Sequence, residues 1–237
     1  VDGIRAALTT IVAAHAPAED ATPRLRELRR AYRRRQPLDA EARPPVLREY
    51  VAAMQGYFAH AVDEASFLMS GDPRRARLTA ALVEELESER TRFLKRDGMY
   101  GVVYWSTFVL GRLKALAGNA PGAHREFDDI LAVDTAGLPP TARSFLDAVR
   151  RRAFRRKVET AYAAGNYDLA IETANNMLAP HNYPTAADDA AGAAALVVKA
   201  EALLRRTPPD VEAALATLSR VRTPPFVAHA HALSEKI

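Results

Sequence analysis

The chain has 237 residues, 49% of them apolar and 26% charged, with a formal net charge of +4 and no cysteine. That excludes disulfides, thiolate nucleophiles and cysteine-ligated metals, and no apolar run approaches the ~20 residues that cross a bilayer. The charge is local: Arg24 to Arg35 holds seven arginines and one acid, a net +6, which leaves −2 for everything else and disfavours a general coat for nucleic acid. The N-terminus begins at Val1 without an initiator methionine and without the apolar centre of a secretory signal, as expected of a trimmed or processed chain or a part of a longer one.

Proline supplies the punctuation of the chain. All fifteen prolines fall in or beside gaps between apolar helical patterns, because inside a helix each would cost ~3 kcal/mol while in a first turn it costs little. The segments between them predict helices over 3–15, 23–35, 45–70, 73–96, 99–117, 120–133, 140–164, 167–179, 185–206, 209–221 and 225–235. Met54, Phe58, Ala61, Ala65 and Leu68 recur at helical spacing, as do Leu78, Leu82, Leu86 and Phe93. Alternation of the strand type is missing, so the fold class expected is all-α.

Two turns share one chemistry. Gly118-Asn119 and Gly165-Asn166 each interrupt an apolar helical pattern, and an alanine (Ala123, Ala170) follows five positions after the glycine. A glycine can take the left-handed backbone that ends a helix, and an asparagine after it can cap the next one. Thr141 and Asp210, each behind a proline pair, stand where N-terminal caps or first-turn acids belong. Short connections make neighbouring helices antiparallel, which gives four hairpins: 45–70/73–96, 99–117/120–133, 140–164/167–179 and 185–206/209–221.

With Gly111, Gly118, Ala123 and Phe127 in this order, the second hairpin resembles a tetratricopeptide repeat. The third resembles it through Phe154, Gly165, Tyr167, Ala170 and Ile171, and departs from it at Val158 and Ala174. Ala200, Leu203, Ala214 and Leu218 make a weaker third match, and the Gly71-Asp72-Pro73 turn with Ala76 a fourth. Gly118 and Gly165 are 47 residues apart against a family period of about 34, so the likeness is to a tetratricopeptide-like array with a longer helix at 140–164. The resemblance covers about 45–222 and implies hairpins stacked as a right-handed solenoid. The domains expected are 1–43, N-terminal helices with the arginine-rich segment as a possible cap, and 44–237, the repeat array.

No catalytic constellation stands out: there is no Gly-rich phosphate loop, no His-Glu-x2-His zinc site and no Gly-x-Ser-x-Gly elbow. His229 and His231 sit about 200° apart on a helix, poorly placed to share one metal ion. The expectation is a non-enzyme without metal or cofactor. Carrying over the family's inward positions puts Trp105, Phe108 and Arg112 in a groove with Arg152, Arg155, Glu159 and Tyr162, Arg156 being adjacent, followed by Ala194, Val197, Glu201 and Arg205. Arginine forks suit carboxylate or phosphate, so the resemblance implies a scaffold or adaptor that binds a protein or peptide segment, acidic or phosphorylated. The bland alternative is that Trp105 and Phe108 pack on the next hairpin and the arginines are solvated. A second basic surface is offered by Arg26, Arg29, Arg30, Arg33 and Arg34, around an apolar stripe of Leu25, Leu28 and Tyr32. Docking as a cap or on an acidic partner fits that helix better than nucleic acid or anionic membrane, since only Tyr32 is there to stack a base. A helical regulatory part of a larger enzyme is a further alternative.

Overall fold

The computed structural model describes residues 43–94, 100–138, 140–179 and 189–237. Those residues form nine helices and no strand: α1 (Arg43–Phe67), α2 (Pro73–Leu94), α3 (Tyr100–Leu116), α4 (Ala120–Leu131), α5 (Pro140–Ala163), α6 (Tyr167–Leu178), α7 (Ala190–Arg205), α8 (Val211–Leu218) and α9 (Phe226–Ser234). The all-α expectation holds for them. The expected helices at 3–15 and 23–35, and with them Arg26, Arg29, Arg30, Arg33 and Arg34, lie outside the described residues. By compactness the chain divides into residues 1–78 and 79–237.

In the first unit, α1 buries the stripe Met54, Phe58, Ala61 and Ala65 that its periodicity marks. The turn after it bends at Gly71, whose φ is +91°. Asp72 then caps α2, its carboxylate accepting from the backbone N–H of Arg74 at 2.8 Å. The Arg74 side chain also donates to it, and these hydrogen bonds hold the Asp72 carboxyl below its ordinary pKa.

The second unit is built from repeated turns. Gly118 and Gly165 take φ values of +78° and +75°. At the first, Gly118 N donates to Ala115 O and Asn119 N to Lys114 O; at the second, Gly165 N donates to Tyr162 O and Asn166 N to Ala161 O. Both are the paired 6→1 and 5→2 closure that left-handed glycine permits. Each asparagine then begins the next helix: Asn119 Oδ1 accepts from Gly122 N at 2.9 Å and Asn166 Oδ1 from Leu169 N at 3.2 Å. Two residues thus end one helix and start another. The third connection lacks a glycine and turns through Arg206-Thr207-Pro208-Pro209, with Asp210 capping α8 through Ala213 N at 3.0 Å. Asp189 caps α7 in the same manner, at 2.7 Å from Gly192 N. Thr141 is not a cap, because α5 already begins at Pro140.

Packing follows chain order. Each helix from α3 to α8 packs on the next, and the first helices of successive hairpins also pack side by side, α3 on α5 and α5 on α7; among the described residues α3 does not pack on α7. Within the second hairpin the approach is close at Gly111, where an added Cβ would lie 2.4 Å from Cε1 of Phe127. Farther along, alanines carry the contact: Ala161, Ala170 and Ala202 meet between α5, α6 and α7. The α7–α8 core holds Leu196, Ala200, Leu203, Ala214 and Leu218, with α9 laid over it through Ala230, Phe226 and Val227.

One buried ionic cluster joins α2, α3 and α4. The Glu126 carboxylate, 7% exposed, accepts from Arg90 at 2.5 Å and from Lys114 at 2.6 Å, and Lys114 also reaches Glu87 at 2.9 Å. Burial alone would lower the Lys114 pKa, but its hydrogen bonds to Glu126 and Glu87 outweigh that and raise it.

Candidate functional site

The arginines of α5 have different neighbours, and these sort them by role. Its inner stripe, Leu146, Val149 and Ala153, is buried, while Ala148 and Arg152 on the opposite side are exposed. Arg150 closes the C-terminal end of α4, donating to Leu131 O at 3.2 Å and to Val133 O. A guanidinium on unpaired helix carbonyls is favoured by the helix dipole, so Arg150 is structural. Arg151 approaches the α7 cap Asp189 at 4.0 Å, and Lys157 binds Asp128 of α4 at 2.6 Å.

Arg152, Arg155 and Arg156 are left on the outer side. Glu159 sits one turn beyond them: its Oε1 accepts from Arg155 Nε at 2.7 Å and its Oε2 from Arg156 at 2.8 Å. Each arginine keeps further N–H donors beyond the one it gives to Glu159. Arg152 is exposed and has no ion pair among the described residues. The spacing that would have signalled Glu159 as the partner is visible in the sequence, since it follows Arg155 by four residues and Arg156 by three.

Next to this cluster, Tyr162 is fixed from three sides. Its ring lies 5.7 Å from Tyr167 and 5.5 Å under the Arg205 guanidinium. Burial, followed by its hydrogen bond to Glu201, pushes the phenol up to about 12. Glu201 also lies 3.3 Å from His229 Nε2.

Of the residues that the resemblance places in a groove, some are buried and others partly exposed. Phe108 faces inward: it is buried and its ring packs 6.2 Å from Phe127, so it belongs to the core of its own hairpin. Ala194 and Val197 are likewise buried, because α7 is enclosed by its neighbours. Trp105 and Arg112 are half-buried on α3. A Cβ added at Gly101 of α3 would lie 3.8 Å from the Phe145 ring of α5. An aromatic group accompanies the contact, with Tyr100 and Tyr104 stacked at 6.4 Å.

Among the described residues no group of three or more His, Cys, Asp or Glu side chains could hold a metal ion, and no helix is long and apolar enough to cross a membrane. No family model, curated protein or solved structure matches the chain.

Proposed function

We propose that residues 79–237 form an open, tetratricopeptide-like array, a right-handed solenoid of hairpins, and that it acts as a non-catalytic scaffold or adaptor. A partner segment would lie across the first helices of the hairpins, with Trp105, Arg112, Arg152, Arg155, Arg156 and Tyr162 as its contacts. The observation that carries this reading is the side-by-side packing of α3, α5 and α7, repeated through like turns. Such stacking leaves one side of each first helix uncovered by its own second helix, and solenoids use that side for binding. The basic character of the α5 outer side supports a partner with acidic groups.

Affinity capture from the source cells with the full chain, paired with the double variant Arg152→Glu/Arg155→Glu, tests this. A protein retained by the parent and released by a variant of unchanged helicity is the expected result. Equal retention by both would place binding elsewhere.

A further inference from the structure

The three outward arginines of α5 and Glu159 carry a net charge of +2 within two helical turns. Arginines three and four residues apart repel one another on a helix, and Glu159 neutralises only one of the three. Guanidinium N–H groups on Arg155 and Arg156 remain unused by it, and Arg152 stands one turn away, about 5.4 Å along the axis. A single carboxylate would leave this cluster positive, whereas a phosphate monoester carries about −1.5 to −2 at neutral pH and three acceptor oxygens.

We infer that Arg152, Arg155 and Arg156 recognise a phosphorylated serine or threonine on the partner segment, and that Glu159 is a built-in competitor for the same guanidinium groups. The inference rests on the outer side of α5 being the binding face. Glu159 holds the forks in place when no ligand is bound and must be displaced in part when one arrives, a cost that a dianion with three acceptor oxygens offsets more fully than a monoanion. A nucleic acid fits less well: phosphates extending from this cluster past Tyr162 would meet the Glu201 carboxylate that hydrogen-bonds it.

The test uses end-blocked tripeptides, Gly-phosphoserine-Gly, Gly-Glu-Gly and Gly-Ser-Gly, titrated into the full chain while the arginine Nε–H resonances are followed by NMR. Saturable shifts at Arg152, Arg155 and Arg156 are expected with the phosphopeptide, with affinity about tenfold above the glutamate peptide, the worth of one further hydrogen bond to a charged group. Glu159→Gln should tighten phosphopeptide binding several-fold, and Arg152→Gln should abolish the preference for phosphate. Equal responses to phosphoserine and glutamate, uniform shifts at all arginines, or no tightening in Glu159→Gln would overturn the inference. So would a single-stranded oligonucleotide that saturates these arginines more tightly than the phosphopeptide. None of these outcomes depends on how many hairpins stack, so the site can fail while the array stands.

Discussion

Glu126 and Glu159 make the same contact in different surroundings. Each carboxylate is held by two cations, Glu126 by Arg90 and Lys114 and Glu159 by Arg155 and Arg156, at distances between 2.5 and 2.8 Å. The first is 7% exposed and binds groups from two other helices; the second is 25% exposed and binds groups of its own helix. Burial decides what the contact means. Around Glu126, water is largely excluded from the carboxylate while Arg90 and Lys114 stay partly exposed, so the carboxylate depends on both partners. Around Glu159, water can replace the carboxylate, and so can a ligand. Geometry alone would have ranked the two alike.

Removing each carboxylate breaks the likeness most sharply. Glu126→Ala leaves Arg90 half-buried without its counter-charge and Lys114 with Glu87 alone, and should cost about 3 kcal/mol, read as a lowered urea midpoint. Glu159→Gln should change the same midpoint by under about 0.5 kcal/mol. Similar losses in the two variants would mean that Glu159 is as fixed as Glu126 and is not a partner that a ligand can displace.

His124 supplies a third, smaller case, burial without a counter-charge. Its Nε2 is buried and has no hydrogen-bond partner among the described residues. Burial and then the nearby Lys157 lower its pKa below 6.5, with Asp128 opposing. The unfolded chain therefore takes up the proton first as pH falls. Stability from this group is whole above 6.5 and declines as pH drops from there towards the folded value. Thermal unfolding at about pH 7.5 and about pH 5 should show that decline, and His124→Leu should make it shallower. An unchanged slope would mean that the ring is hydrated.

What could be read in advance was local. Gly118-Asn119 and Gly165-Asn166 act through contacts within six residues, so the left-handed ends and the caps were legible before any coordinates. The small residue at 111 opposite Phe127 followed the family's pattern, and the close approach there gives its physical reason. Contacts between distant segments were not legible. Arg150 looks like part of one basic run, yet its partners lie on the carbonyl end of the preceding helix, up to twenty residues away. Arg90 finds Glu126 across thirty-six residues with no local pattern to announce it. The burial of Phe108 was not legible either, because α3 is buried on more of its circumference than one apolar stripe suggests, from Ser106 to Gly111.

The proposed open array is tested most directly by spin-label distances. The chain has no cysteine of its own, so single cysteines at Ala117, Ala164 and Thr207, exposed positions just past the ends of α3, α5 and α7, can be labelled in pairs. In a linear array the 117–207 separation exceeds the 117–164 and 164–207 separations by about one helix spacing, roughly 8–10 Å. Three equal separations would describe helices gathered around a closed centre and would contradict the account.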